Sequence, residues 1–322
     1  MCAILGLIDV RRSFTAKDRV HIMRNLATVS ECRGTDATGF AYNHRGYLNI
    51  VKRPVCAHRM KLRLPDDARA IVGHTRMTTQ GKAQLNDNNH PFMGKVGDTR
   101  FALVHNGILY NDEILRETQR LPRTKIETDS YIATQLIEQH GSLDFDSLRY
   151  MAEQVSGTFT FAILDSNDNT WIVKGDNPVC IYRSVDYGFY IYASTKEILT
   201  TALDSMGKLG DLRYEEIELA AGEMLKISVD GKMSRGAFQM ELQTFHRRFN
   251  WNGYDWQELR SHQPMEASGY LDELKCVASC YGYSSDEIDE LFAEGFTCDE
   301  IEEMLFSVDY DDAFAGCSQN ER

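Results

Sequence analysis

Nine short apolar runs recur along the first 235 residues: CAILGLI, ATGFAYN, YLNIVKR, AIVGHTR, RFALVHN, TFTFAILD, TWIVKG, FYIYAST and GEMLKISV. Runs of this length read as β-strands, and those that are apolar at nearly every position read as strands buried on both faces. Helices are expected at about 18–30, 112–120, 128–140, 142–155 and 195–204, with Thr128, Ser142 and Thr195 in N-cap positions. Strands gathered in sheets with helices covering them make an α+β layered domain rather than a doubly wound one. No Gly-rich loop joins a strand to a helix, so a nucleotide-binding reading has nothing to rest on.

At 322 residues and 43% hydrophobic, the chain has material for one large domain and a small one. No run reaches the roughly 18 apolar residues of a membrane span, and the N-terminus lacks the pattern of a secretory signal. The eight cysteines form no framework, which points to a reduced, cytoplasmic interior. Cys276 and Cys280 have no second pair or nearby histidine to complete a zinc site, so neither a metal nor a cofactor is expected. The net charge of −13 is concentrated in residues 284–316, which hold twelve acidic residues and no Lys or Arg. The rest is nearly neutral and carries no basic stripe, so no nucleic-acid partner is expected.

The strand pattern breaks over residues 236–265, which read as a linker. Tyr270, Leu274, Val277 and Tyr281 then form a helical stripe ended by Gly282. YSSDEIDELF (283–292) and FTCDEIEEML (296–305) repeat with a period of 13 residues, each opening on a capping box, Ser284 with Glu287 and Thr297 with Glu300. Residues 266–308 therefore read as a small acidic helical bundle, and 309–322 as a disordered acidic tail. Such a module is either a solvated appendage or a docking surface for a basic partner.

Cys2 opens the first strand run. Methionine aminopeptidase removes Met1 when the next side chain is small, leaving a thiol and a free α-amine on one residue. That pair is a nucleophile with a built-in base, the amine having a reference pKa of roughly 7.7–8.0. The competing reading is a small apolar residue starting a buried strand.

Four further motifs bear on this choice: RGTDATGF (33–40), GHTRMTTQG (73–81), NNHPF (88–92) with FALVHNGIL (101–109), and ETDSYIATQLI (127–137). In this order behind Cys2 the chain resembles the class II glutamine amidotransferases, the cysteine branch of the N-terminal nucleophile hydrolases, over roughly residues 2–230, which places that domain at 2–235. The resemblance implies a four-layer αββα sandwich that hydrolyses the side-chain amide of glutamine to glutamate and ammonia. It makes Cys2 the nucleophile, the Asn106 side chain and Gly107 N–H the oxyanion hole, and Arg76 the clamp for the substrate α-carboxylate. Asp129, placed in the first turn of its helix, would take the α-ammonium, and Thr79 would contact substrate. Each residue taken singly reads as structure: Arg76 and Asp129 as a surface residue and a cap, and Asn106-Gly107 as a tight turn. His74, His90 and His105 read as structural hydrogen-bonding residues rather than as metal ligands.

Glucosamine-6-phosphate synthase, a member of that family, has Trp and His where this chain has Met77 and Gln80, in the loop that closes over glutamine. The residues after 235 are too few for an acceptor domain, so an acceptor synthase on a separate partner is expected, docked through the acidic module. A γ-glutamyl amide hydrolase and an inactive partner-binding scaffold are the alternatives.

Overall fold

All nine apolar runs form strands, and four more strands complete two antiparallel sheets. A computed structural model describes residues 2–240, 271, 274–275, 278, 284–293 and 301, and divides the chain into the units Met1–Met240 and Glu241–Arg322. In the first unit the seven-stranded sheet has β1 (Ala3–Ile8) near its centre. On one side of it lie β10 (Tyr190–Ala193), β9 (Cys180–Ser184) and the edge strand β11 (Tyr214–Glu216). On the other side lie β4 (Ala70–Arg76), β2 (Ala37–His44) and the edge strand β3 (Tyr47–Arg53). The six-stranded sheet runs from β13 (Met233–Ala237) through β12 (Glu223–Ile227), β8 (Thr170–Lys174), β7 (Gly157–Asp165) and β6 (Thr99–Leu109) to β5 (Phe92–Val96).

The strands that are apolar throughout sit where both faces are covered. All six residues of β1 are buried, and their side chains divide between two cores by strand alternation. Leu5 and Leu7 pack under α1 (Ala16–Val29) and α5 (Lys196–Ser205), against Ile22, Leu26, Leu199 and Leu203. Ile4 and Ile8 face the other way, into a core that joins the two sheets through Val72, Val104, Ala162 and Leu225. On the far side of the second sheet, α3 (Tyr131–His140) and α4 (Phe145–Gln154) cover Leu103, Phe161 and Ile163. A short helix, α2 (Asp112–Thr118), follows β6. The layers thus run helix, sheet, sheet, helix.

Two helix starts differ from the sequence expectation. α3 begins at Tyr131 rather than at 128, because the Thr128 hydroxyl donates to the Asn88 carbonyl at 2.8 Å and is not a cap. α4 is capped by Asp144, not Ser142, since the Asp144 carboxylate accepts from the Asp146 and Ser147 amides at 3.0 and 2.9 Å. At α5 Thr195 caps as expected, accepting from the Ile198 amide. The first unit also extends past residue 235: β13 runs to Ala237, and Phe238 is buried in the core under α4.

In the second unit α6 (Ser285–Ala293) carries the first of the two expected capping boxes. The Glu287 carboxylate accepts from the Ser284 amide at 2.6 Å, and the Ser284 hydroxyl from the Glu287 amide at 3.3 Å. Leu274, Ala278, Ile288 and Ile301 are buried. Thr297 and Glu300, most of the 236–265 linker and the tail at 309–322 lie outside the described residues. Among the described residues no helix is long and apolar enough to cross a membrane.

Candidate active site

Antiparallel register places Cys2. Ala3 stands opposite Thr75 on β4, so Cys2 falls beside Arg76, the last residue of that strand. The half-buried Cys2 thiol donates to the Met77 carbonyl at 3.4 Å. Burial pushes the thiol above its ordinary range; Asp129 adds to the rise and Arg76 opposes it.

The Cys2 carbonyl accepts from Arg33 Nε at 2.9 Å, and Arg33 Nη2 donates to Asn106 Oδ1 at 3.2 Å. Arg33, fully buried at the end of a 3₁₀ turn, therefore ties the start of one sheet to β6 of the other. Sequence reasoning quoted its motif but gave Arg33 no role. The fork also fixes the Asn106 amide: with Oδ1 turned to Arg33, Nδ2 is left buried with no hydrogen-bond partner. A buried amide nitrogen in that state costs free energy unless a ligand accepts from it.

Gly107 has φ of +139°, and a Cβ there would stand 2.0 Å from the Thr158 carbonyl oxygen. Only glycine meets both conditions. Gly34 is required by approach alone, since its Cβ would lie 2.4 Å from the Arg76 carbonyl carbon. The two glycines let the chain close around Asn106 and Arg76.

Arg76 is buried, and burial draws its pKa down while Cys2, Asp129 and Asp36 hold it up. Its Nη1 donates to Asn89 Oδ1 at 2.6 Å, and Nη2 to the carbonyls of Gln80 and Gly81. An arginine carries five donors, so the fork keeps capacity for an anionic ligand. The loop that follows is pinned by Asp36, whose carboxylate accepts from the Thr78 amide at 2.8 Å. Thr79 is exposed in this loop, apart from the buried polar groups.

Asp129 is buried and lies one residue ahead of Ser130, the N-cap of α3, rather than in the helix's first turn. Burial raises its pKa; the Leu109 amide, at 2.6 Å, the Ser130 backbone and hydroxyl, and Arg76 pull it down. Its ionised form is thus supported by specific hydrogen bonds and an opposite charge, not by a first-turn placement. Asn88 and Asn89, quoted in a motif but given no role, brace this region. Asn88 joins Glu127 and Thr128 ahead of Asp129, and Asn89 holds Arg76.

The three histidines stand behind the site. His105 Nδ1 lies 2.7 Å from the Ser130 hydroxyl, which donates to Asp129; His74 Nε2 lies 2.8 Å from the His105 carbonyl. The His90 ring sits 4.1 Å from that of His74 and 4.4 Å from Phe92, and neither of its nitrogens has a hydrogen-bond partner. Burial lowers all three pKa values, to about 3 for His74 and His105.

Cys2, Arg76, Asn106, Gly107 and Asp129 thus gather at one end of the paired sheets, while Thr79 stays outside. The result is a thiol, an unpartnered amide donor, a guanidinium and a carboxylate in mutual electrostatic reach. Such a set can attack an acyl carbon, stabilise an oxyanion and hold a zwitterionic ligand.

Residues 74–201 match a family model described as a glutamine amidotransferase domain. The glutamine–fructose-6-phosphate aminotransferase (isomerizing) of Lactococcus lactis subsp. lactis is 30% identical over 191 residues, covering 56% of this chain and 30% of that protein. The enzyme of the same description from Listeria innocua serovar 6a is 25% identical over 256 residues, 75% of this chain and 39% of its own. The chain therefore spans about a third of the length of these relatives. Among solved structures, the glutamine phosphoribosylpyrophosphate amidotransferase of B. subtilis, complexed with ADP and GMP, superposes with a TM-score of 0.59 at 21% identity. That match covers 74% of this chain and 50% of the other, and it shows a shared fold.

Proposed function

We propose that the chain is a glutamine amidotransferase of the class II, N-terminal nucleophile type and hydrolyses the side-chain amide of glutamine at Cys2, a reading supported by the match of residues 74–201 to a glutamine amidotransferase domain. Removal of Met1 frees the Cys2 amine. The amine takes the thiol proton as sulfur attacks the amide carbon. The oxyanion forms against Asn106 Nδ2 and the Gly107 N–H; collapse expels ammonia, the ammonium of Cys2 returning its proton, and water then releases glutamate from the thioester. Arg76 takes the substrate α-carboxylate in place of the Gln80 and Gly81 carbonyls, and Asp129 takes the α-ammonium.

The observation that carries this reading is the buried Asn106 Nδ2, which lacks an acceptor and is oriented by the same arginine that grips the Cys2 carbonyl. Purified protein should convert glutamine to equal amounts of glutamate and ammonia, and a glutamine-analogue electrophile should label Cys2. Absence of both would overturn the proposal. A panel of γ-glutamyl amides compared with glutamine by kcat/KM sets the preferred leaving group.

Asn106→Ala is expected to lower kcat by about 10²–10³, the usual cost of one oxyanion donor, with a far smaller change in KM. The melting temperature, measured alongside, separates this from a folding defect, because Arg33 keeps its bond to the Cys2 carbonyl. A loss confined to KM would remove Asn106 from the oxyanion hole.

The ammonia goes to an acceptor on another domain or polypeptide. The acidity of residues 284–316, most of which lie outside the described residues, favours a basic partner and predicts contact that weakens with salt.

A further inference from the structure

Away from Cys2, the chain brings together Glu31, Cys56 and His58, the one group of potential metal-ligating residues among the described residues with mutually close donor atoms. Cys56 caps a 3₁₀ turn, Ala57–Arg59, that carries His58, and Glu31 comes from the separate turn Ser30–Arg33. The Glu31 carboxylate lies 3.0 and 3.1 Å from His58 Nδ1 and accepts from the His58 amide at 2.6 Å. This anchors the imidazole at both its backbone and its ring, and assigns the ring proton to Nδ1. The other ring nitrogen, Nε2, then presents a lone pair 3.5 Å from Cys56 Sγ.

That spacing matches a metal chelate. With a zinc–sulfur bond of about 2.3 Å and a zinc–nitrogen bond of about 2.05 Å at a tetrahedral angle, sulfur and nitrogen lie about 3.6 Å apart. A carboxylate on the far ring nitrogen is the usual support for a metal-bound histidine, fixing its tautomer and orientation. The set is half-exposed to exposed at Cys56 and His58, so water can complete the coordination sphere. Thiolate with imidazole suits borderline-soft divalent ions and disfavours magnesium or calcium.

We propose that Cys56 Sγ and His58 Nε2 form a binding site for a divalent cation of the zinc class, with Glu31 orienting His58. Before binding, the thiol donates to Nε2. The cation takes the place of that proton, which leaves to solvent.

The test uses cobalt(II) as a spectroscopic probe on the full-length chain, with zinc as competitor. Wild-type protein should develop a near-ultraviolet thiolate-to-cobalt band that saturates at one equivalent and is bleached by zinc. Cys56→Ser and His58→Ala should lose the band, and Glu31→Gln should weaken affinity by about 10–100-fold. The glutaminase assay and melting temperature verify that each variant is folded. A band that persists in Cys56→Ser or His58→Ala, or no saturable band in the wild type, would overturn the site. Unchanged affinity in Glu31→Gln would overturn the orienting role of the carboxylate.

Discussion

Cys2→Ala is expected to reduce glutamine hydrolysis by about 10⁶ in kcat, the scale seen when an enzyme loses its attacking atom. The substitution removes one sulfur from a half-buried position and leaves the strand after it intact, so the melting temperature should hardly move. Retention of Met1 is expected to be equally damaging with the thiol still present. The base in this mechanism is the α-amine of Cys2, and in the precursor that nitrogen is an amide with no basic lone pair. Burial makes the base more necessary, because the thiol is held above its ordinary pKa and presents little thiolate at neutral pH. Intact mass measured on the same sample as activity tests both statements: the rate should scale with the fraction of molecules lacking Met1. Turnover by protein that retains Met1, or by Cys2→Ala, would refute an N-terminal nucleophile.

How much of this was legible in the sequence follows from the range of the forces involved. The nine strands announced by apolar runs are those whose side chains fill the cores, and local pattern suffices for them. Three of the four unannounced strands, β5, β11 and β13, are sheet edges: β5 alternates buried and exposed residues, β11 and β13 mostly meet solvent, and the apolar signal thins. β9 is interior, but its run CIYRS is short and broken by Arg183. The site shows the same division. Cys2 precedes β1, and Asn106 and Gly107, expected after a strand, lie within the last paired residues of β6, which runs on to Leu109; pattern together with family resemblance points to all three. Arg33, Asn88 and Asn89 could not, since their roles depend on partners far away in sequence, such as Asn106 for Arg33. Asp129 was placed in a helix's first turn because Thr128 looks like a cap; a long-range bond to Asn88 takes that hydroxyl away. The Glu31–Cys56–His58 group is invisible for the same reason, two of its members being 27 residues apart.

The buried histidines make acid lability the second large expectation. His74, His90 and His105 stay neutral in the folded protein well below their ordinary pKa of 6.5. In the unfolded chain each protonates near that ordinary value. Below about pH 6.5 the unfolded state therefore binds more protons than the folded state, and stability falls as pH falls. At pH 5.5, about one unit below the unfolded value, each histidine that stays neutral in the fold costs on the order of 1 kcal/mol, so the three together remove a few kcal/mol relative to pH 7.5. Buried acids act in the opposite direction: Asp129 and Asp176 have raised pKa values, so protonating them favours the folded state. Denaturant unfolding at a series of pH values checks the sign and the size. Stability that is flat between pH 7.5 and 5.5 would mean that the histidines accept protons inside the fold. The loss should carry over to activity only as unfolded chain accumulates, because His105, which reaches Ser130 and through it Asp129, stays neutral in the fold. The folded fraction should therefore keep its KM for glutamine as this cluster is acidified, and the fall in rate should follow the global unfolding curve.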